Sequence, residues 1–287
     1  MKKLFQYSIY PVFMFSAWAL IVWAMQTGVN QYVATIPVIA FYGIAALLLE
    51  RLMPFEKKWL SGSDWNLDFT YYIINYLIKV SAQFSFIWLS TYFTFFPWFP
   101  THLPFWIQVL ISLTIIDLFL YLVHWQSHRY EWLWKLHAIH HSSERLYFLN
   151  GEKRHVLHQV LEGSPGILLC LAIGTPQPVV VAALALLAIN MMMQHTNLDY
   201  KAGFLKKFFC VAELHRWHHR ADYADAQVNY GAWLTLWDYL FGTNYDDPKI
   251  YETEGIGEIG IKEEPDFPST YVSQMLHPFS KIDENTR

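Results

Sequence analysis

The sequence predicts an all-α protein: a polytopic transmembrane helical bundle with a cytosolic histidine-rich helical cap. Three observations favour this fold class. Hydrophobic residues make up 54% of the 287 residues and charged residues only 15%, whereas a soluble domain carries about 25% charged residues. Apolar residues gather in long runs, mostly before residue 124, and charges become common after it. Histidines cluster in the middle of the chain, between residues 124 and 219.

The apolar runs predict the membrane elements in chain order. Runs 7–25, 32–49 and 103–123 are near the roughly 20 residues that a span needs. Runs 160–173 and 179–193 are shorter and are separated only by GTPQP, so they predict a tight helical hairpin. Residues 67–96 form a further aromatic stretch that contains Lys79. This stretch is either one tilted span or a span followed by an interfacial helix.

The first run has an alternative interpretation as a signal peptide, because MKK precedes its apolar core. However, the core is long, no small-x-small cleavage pattern follows it, and further predicted spans come after it. We therefore interpret the first run as an uncleaved span.

The distribution of lysine and arginine predicts the orientation. With Lys2 and Lys3 in the cytoplasm, the basic loop 50–65 lies inside, and loops 26–31 and 96–104, which lack Lys and Arg, lie outside. The later basic residues then also lie inside, and Lys79 is the one exception. We expect an integral, multi-pass membrane protein whose histidine motifs face the cytoplasm.

Composition divides the chain into three regions. We predict an N-terminal transmembrane region over 1–102, a histidine-rich domain over 103–245 and an acidic peripheral C-terminal tail over 246–287. Cys170 and Cys210 make no disulfide framework, and two free thiols are compatible with a reducing cytosolic face.

The histidines form motifs with the spacing of metal ligands. Eleven of the thirteen lie between His124 and His219. H-x-x-x-H places two imidazoles on one helical face, and in H-x-x-H-H the adjacent histidine turns toward a second partner. The motifs are His124/His128, His137/His140/His141 and His215/His218/His219.

Each motif alone also has a simpler explanation as an interfacial pair or a basic surface patch. Together, eight histidines with ligand spacing on one predicted side favour metal binding, and they exceed what one ion can use, so we predict two ions. His195 closes an apolar run, where a solitary imidazole is functional by default, and we add it as a ligand. His155 and His158 are possible ligands, and His102 and His277 are expected to be structural.

Ligand type alone leaves zinc, iron, copper and nickel open. A zinc finger or an iron–sulfur cluster is not expected, because the motifs contain no thiolate. The membrane setting implies an apolar substrate, and oxidation of unactivated C–H bonds in lipids usually uses iron. Two alternatives remain: a zinc-dependent membrane hydrolase at the same imidazoles, and a non-catalytic metal-binding membrane protein.

The ordered motifs resemble a known superfamily. H-x-x-x-H, H-x-x-H-H, QHTNLDY and ELHRWHH, followed by NYGAWLTLWDYLFGT, are similar to the fatty acid hydroxylase/sterol desaturase superfamily over residues 103–243. The preceding hundred residues resemble it only in being membrane spans. The resemblance implies that 103–245 is a histidine-box domain with a cytosol-facing di-iron centre, which uses O2 to hydroxylate or desaturate a lipid.

The resemblance also implies the iron ligands, and the chain departs from the family pattern at two places. In the stretch that many members write R-x-H-P, His155 is present but Lys153 and Val156 replace the arginine and the proline. Where some hydroxylases have H-x-x-x-H, Asp199 replaces the second histidine, which leaves open whether Asp199 is a ligand, a support of a ligand or neither. The implied ligands are His124, His128, His137, His140, His141, His195, His215, His218 and His219.

Supporting residues are expected around the ligands, because a ligating imidazole usually donates its other N–H to a carboxylate or a carbonyl. Asp117, seven residues before His124 on the same helical face, is the preferred candidate, with an interhelical hydrogen bond as the alternative. Trp237 and Asp238 are expected to buttress the third motif. Further carboxylates near the motifs, each also explained as solvated loop charge, are Glu144, Glu213, Asp222 and Asp225.

The partners follow from the motifs that the sequence lacks. P-loop, G-x-G-x-x-G and cytochrome-type haem motifs are not found, so electrons are expected from an external donor such as a ferredoxin, a cytochrome b5-like protein or a pterin. We expect a membrane lipid substrate and no nucleic-acid partner. Sterols, fatty acyl chains and alkylglycerols remain open as substrates.

Overall fold

The computed structural model describes residues 2–90, 92–253 and 255–280. Over these residues the protein is helical, and its only β-pairing consists of isolated bridges, which confirms the predicted all-α class. The helices are α1 (Lys2–Gln26), α2 (Gln31–Leu52), α3 (Trp65–Ser90), α4 (Phe105–Ser127), α5 (Glu131–His141), α6 (Val156–Ala172), α7 (Gln177–His195), α8 (Ala212–His218), α9 (Leu236–Phe241), α10 (Pro248–Thr253) and α11 (Tyr271–Leu276).

Four helices of the described chain are long and apolar enough to cross a membrane: α1, residues Val33–Leu52 of α2, α4 and α7. The predicted hairpin is present as α6 and α7, joined by residues 173–176, although α6 is shorter than the four. The stretch that contains Lys79 forms the single continuous helix α3 of 26 residues. Over residues 67–90 this stretch is therefore one helix and not a span followed by a separate interfacial helix.

The loops lie at two opposite ends of the bundle. Gln31 Nε2 donates to Gln177 Oε1 (3.4 Å), and the backbone N–H groups of Phe95 and Phe99 donate to carbonyls at the end of α6 (3.0 Å each). The loops that the charge pattern places outside therefore meet at one end. At the other end, the chain after α2 pairs with the chain after α7, where Phe55 N donates to Asn197 O (3.0 Å). We call this second end the cap.

The core is continuous from the membrane helices into the cap. It joins buried side chains of α1, α2, α4, α6 and α7 with residues that surround α8. Close packing of α6 on α4 requires a glycine, because a Cβ at Gly166 would lie 2.7 Å from the Cα of Ile116. Tyr10 in α1 donates its hydroxyl to Asn190 Oδ1 in α7 (2.7 Å), so the N-terminal helices are fixed to the helix that carries His195.

Lys79, the exception in the charge pattern, also belongs to the cap. Its ammonium lies 2.6 Å from the carboxylate of Glu152, in the 3-10 turn Phe148–Glu152. In the same turn, a Cβ at Gly151 would lie 3.0 Å from the ring of His195. The long side chain of Lys79 thus reaches the same end of the bundle as the other basic residues.

Candidate metal centre

All nine predicted ligand histidines come together in two buried groups. In each group, one ring nitrogen of every member lies within 4.8 Å of those of the others. The most exposed of the nine, His124, is only 6% exposed. Group one consists of His124, His128, His137, His141 and His218; group two consists of His140, His195, His215 and His219.

Each H-x-x-H-H motif is divided between the two groups, because the first and last histidines of a motif (i, i+4) lie on one helical face and the middle one turns away. The two motifs contribute in opposite proportions. Group one takes His137 and His141 from the first motif and His218 from the second, whereas group two takes His140 from the first and His215 and His219 from the second.

The Nε2 atoms within each group face one another at short range. Two nitrogens bound at right angles to one ion, at about 2.1 Å each, lie about 3.0 Å apart, whereas tetrahedral ligands lie about 3.4 Å apart. The observed spacing therefore fits nitrogens that converge on a shared ion. The distances are 3.1 Å for His141–His137, His141–His218, His195–His140 and His219–His215, and 3.0 Å for His215–His195.

The Nε2 atoms of His124 and His128 give a second sign of fit. Both are fully buried and have no hydrogen-bond partner within the described part of the chain. A buried polar nitrogen left without a partner costs about 1–3 kcal/mol. A cation at group one would satisfy both nitrogens together.

Backbone carbonyls, rather than carboxylates, orient four of the rings. In each case Nδ1 lies at hydrogen-bond distance from a carbonyl oxygen, so that Nδ1–H donates and the Nε2 lone pair points into its group. Either type of acceptor was expected from the sequence. The contacts are His124 to Tyr230 (2.8 Å), His140 to Lys153 (3.3 Å), His195 to Met191 (2.9 Å) and His218 to Val228 (2.9 Å).

Burial keeps the histidines of the cap neutral. Desolvation lowers the pKa of each of these imidazoles well below its ordinary value, and repulsion from neighbouring basic side chains lowers it further. A neutral imidazole offers the lone pair that a metal ion requires. The histidines concerned, all outside the spans, are His128, His137, His140, His141, His215, His218 and His219.

Arg216 and Tyr200 hold the helix that carries the third motif. Arg216, fully buried, donates to the carbonyls of Thr196 and Leu198 (3.0 Å each) just after α7. The hydroxyl of Tyr200 accepts the N–H of Ala212 at the start of α8 (2.8 Å). These bonds fix α8 against the end of α7 that carries His195. The motif spacing in the sequence gives no sign of either residue's role.

The turn formed by residues 229–231 (NYG) supports the rings of His124 and His218. Asn229 adopts a left-handed conformation (φ 54°), as its place in a predicted tight turn suggests, and its side-chain amide donates to the carbonyls of Leu214 and Tyr245. A Cβ at Gly231 would lie 2.3 Å from Cys210 Sγ. Only glycine therefore fits at position 231. The close packing of this turn places the carbonyl of the preceding residue, Tyr230, at His124.

Asp238 fixes this turn. Its carboxylate accepts the backbone N–H groups of Tyr230 (2.8 Å) and Gly231 (3.0 Å) and the hydroxyl of Thr243 (2.7 Å). Burial raises the pKa of Asp238 to about 6, although these hydrogen bonds oppose the shift. The contacts place Asp238 behind the carbonyl that accepts from His124, outside both histidine groups.

Asp117 contacts the neighbouring segment and no ligand histidine. It is fully buried in α4 and accepts the backbone N–H groups of Trp233 (2.7 Å) and Leu234 (2.9 Å) and the indole N–H of Trp237 (2.8 Å). Asp117 and Trp237 thus form one tie between α4 and the start of α9. This contact corresponds to the alternative of an interhelical hydrogen bond.

The remaining predicted candidates lie outside both groups. His155 caps α6, where Nδ1 accepts the N–H of Leu157 (3.0 Å). His158 packs against His137 (ring centroids 4.6 Å apart), with Nε2 2.8 Å from Ser127 Oγ. Asp199 accepts from the side-chain amide of Gln6 (2.6 Å), so it anchors α1 to the cap.

The four loop carboxylates also have partners other than the ligand histidines. Glu213 accepts the backbone N–H of Ala202 (2.6 Å), which positions the start of α8. Asp222 and Asp225 form surface ion pairs with Lys262 (3.6 Å) and Arg220 (3.0 Å). Glu144 lies beside Gly260. The contacts of Asp222 and Asp225 correspond to the alternative of solvated loop charge.

Replacing Asp238 by asparagine is expected to weaken metal binding about 10- to 100-fold, the effect typical of a group that orients a ligand. The amide presents an N–H group where the carboxylate now accepts one, so the turn that carries the Tyr230 carbonyl loses its support. Metal retained during titration with a chelator measures this. Asp246→Asn, at a partly exposed ion pair with Lys206 away from both histidine groups, is the matched control. Equal retention in both variants would exclude this role for Asp238.

Comparison with known proteins gives a family match and several relatives. The family model described as fatty acid hydroxylase matches residues 109–243. Ornithine lipid hydroxylase OlsE of Rhizobium tropici is 30% identical over 268 residues, which are 87% of this chain and 75% of that protein. Alkylglycerol monooxygenases of Caenorhabditis elegans and Danio rerio are 30% and 27% identical over 47% and 58% of this chain, but over only 27% and 35% of their own lengths. No solved structure matches.

Proposed function

Since the chain belongs to the fatty acid hydroxylase family, within the fatty acid hydroxylase/sterol desaturase superfamily, we propose that it hydroxylates a membrane lipid at a centre of two iron ions. The protein is a membrane-bound, lipid-oxidising enzyme, as its relatives are hydroxylases and monooxygenases. Two bound iron ions would supply the activation of O2, from which one oxygen atom enters the lipid and the other leaves as water. Electrons would come from a separate redox partner: a ferredoxin, a cytochrome b5-like protein or a pterin.

The observation that carries this proposal is the pair of buried histidine groups, with five and four members. The nine histidines divide into two sets of converging nitrogens, one for each ion, and group one adds two buried nitrogens that lack partners among the described residues. Nitrogens 3.0–3.1 Å apart fit ligands of a shared ion, and the choice of iron rests on the family.

Hydroxylation is favoured over desaturation, because the relatives' names describe hydroxylation or mono-oxygenation. The lipid to test first is an ornithine lipid, since that relative matches most of this chain. Alkylglycerols come second, because those relatives match about half of this chain and a third or less of their own lengths.

We also propose that the cap faces the cytoplasm. The loops that meet at the opposite end lack lysine and arginine, and Lys79 reaches the cap through Glu152. Basic residues favour the cytoplasmic side. This orientation would place the metal centre where a cytosolic electron donor reaches it.

The test is oxidation of an ornithine lipid by the purified, iron-loaded protein under ¹⁸O₂ with a chemical reductant. We expect product that carries ¹⁸O from O2, and none without O2 or with zinc in place of iron. Label from H2¹⁸O in anaerobic, zinc-loaded samples would instead support a hydrolase. Bound metal that exchanges freely, with no product from ornithine lipid, alkylglycerol, sterol or fatty acyl phospholipid, would support a non-catalytic metal-binding protein.

A further inference from the structure

A cleft of about 320 Å³ opens on the cap outside both histidine groups. Its charged lining residues are Arg129, Glu131, Glu263 and Glu264, and its aromatic lining residues are Trp134 and Tyr223. The sequence pattern gives no sign of this cleft, because three separate segments of the chain form it. Neither the proposed metal ligands nor their supporting residues use its charged groups.

The aromatic floor of the cleft lies directly on group one. The ring of Trp134 lies 5.0 Å from that of His128 and 5.4 Å from that of His141 (centroid to centroid). Tyr223 packs against Trp134 at 4.8 Å and donates its hydroxyl to the carbonyl of His128. A group bound in the cleft is therefore separated from the proposed metal centre by a single aromatic layer.

The cleft opens next to the end of a candidate membrane span. Arg129 comes two residues after the end of α4, one of the four membrane-spanning candidates. Beside it, Tyr130 and Trp132 are 54% and 60% exposed. Exposed aromatic residues next to the end of a span are typical of the membrane–water interface. A lipid in the membrane thus reaches the cleft with its headgroup, while its chains remain in the bilayer.

The charges of the cleft define the kind of headgroup. Arg129, whose guanidinium stacks on the ring of Trp125 at 4.0 Å, lines the cleft together with three carboxylates. Of these, Glu131 is paired with Lys135 (3.3 Å). Glu263 is held by the backbone N–H of Tyr223 (3.2 Å) and Glu264 by His277 (3.0 Å). A carboxylate accepts about four hydrogen bonds, so both can also accept from an ammonium group. Arg129 provides the complementary contact for an anionic group.

The size of the cleft suits a small polar group. A specific protein interface covers about 800 Å² on each partner, whereas small-molecule sites have volumes of about 300–1,000 Å³. The cleft falls at the low end of that second range. It accommodates a headgroup of amino-acid size.

We infer that this cleft binds the polar headgroup of the lipid substrate, and that the headgroup is zwitterionic, with its ammonium group on Glu263 and Glu264 and its anionic group on Arg129. The inference rests on the proposed function, which makes the bound lipid the substrate. An amino-acid lipid and a phosphatidylethanolamine both supply this chemistry. The carboxylates select lipids with an amine, and Arg129 orients the headgroup above Trp134.

The experiment measures binding without turnover. Iron-loaded protein is mixed anaerobically with equal amounts of ornithine lipid, phosphatidylethanolamine, phosphatidylglycerol and diacylglycerol, and the bound lipids are quantified by native mass spectrometry. We expect the two zwitterionic lipids to be preferred about tenfold over the other two, a factor that corresponds to one charge-assisted contact. Preference for ornithine lipid over phosphatidylethanolamine, or the reverse, identifies the source of the headgroup.

The variants connect the preference to the cleft. Glu263→Gln/Glu264→Gln and, separately, Arg129→Gln are expected to reduce the preference to about twofold or less with the iron content unchanged. Asp266→Asn, exposed and outside the cleft lining, is the matched control and should bind like the wild type. Wild-type preference for phosphatidylglycerol or diacylglycerol, or variants that bind like the wild type, would overturn the inference.

The two proposals fail in different ways. A protein that shows the preference for zwitterionic lipids, and yet oxidises none of these lipids with O2 and reductant, would contradict the proposed function while the headgroup site stands. A protein that oxidises a lipid with no effect of the cleft variants on binding would contradict the headgroup site alone.

Discussion

Replacing His218 by alanine is expected to remove the ion of group one and to abolish lipid oxidation. The Nε2 atom of His218 lies 3.1 Å from that of His141, and its Nδ1–H donates to the carbonyl of Val228, so the ring is held with its lone pair toward the group. The substitution removes one of five converging nitrogens and leaves the others around an incomplete site. Iron should fall from about two ions per chain to one or fewer.

Metal analysis and an oxidation assay on the same preparation measure this. His102→Ala is the control, because His102 is exposed and lies in the loop between α3 and α4, at the end opposite the cap. His218→Gln keeps a polar side chain of similar size and separates loss of the ligand from loss of packing. Full iron content and activity in both His218 variants would show that His218 is not a ligand of the centre.

The division of each H-x-x-H-H motif between two partners was predictable from the sequence, because it depends on local geometry. His140 and His141 are adjacent on α5 and turn toward different partners whatever the helix packs against, but which of them joins His137 depends on the packing. The membrane helices were predictable for the same reason, since the length and hydropathy of a run are local properties. The partner of Lys79 was not, because Glu152 lies 73 residues away.

The supports of the rings were out of reach because they depend on distant chain segments. Every residue has a carbonyl, so nothing in the sequence marks Tyr230 as the acceptor for His124, 106 residues away. Asp117 was recognisable as an unusual buried carboxylate, but its three partners lie 116–120 residues away. The histidine spacing located the motifs, and the resemblance to the superfamily indicated the metal, but only the fold shows what holds the rings.

Replacing Glu162 by leucine is expected to lower the free energy of unfolding by about 3–5 kcal/mol, the cost of leaving a buried charge without its partner. Arg154 Nη1 lies 2.5 Å from Glu162 Oε2, and both side chains are at least nine-tenths buried. Leucine nearly fills the space of the glutamate but leaves the guanidinium without its counter-charge. The thermal midpoint of the detergent-solubilised protein, with and without iron, measures the loss.

Group two is expected to loosen before group one in this variant. Arg154 donates to the carbonyl of Gly151 (3.3 Å), where an added Cβ would lie 3.0 Å from the ring of His195. Lys153, the preceding residue, supplies the carbonyl that accepts from His140. Displacement of an unpaired Arg154 therefore disturbs two of the four members of group two. Iron should be lost first from group two. A spectrum of the iron centre, recorded when half of the iron has been removed, would show which group has lost its ion.

Removing both charges provides the decisive control. Arg154→Met/Glu162→Leu replaces the buried pair with apolar side chains of similar volume, a change that is often neutral or stabilising. The double variant is therefore expected to recover most of the thermal stability that Glu162→Leu loses. If the double variant is as unstable as the single variant, the pair stabilises the protein through its hydrogen bonds, such as that from Arg154 to the carbonyl of Gly151, rather than through charge neutralisation. If Glu162→Leu itself unfolds like the wild type, the pair does not stabilise the cap.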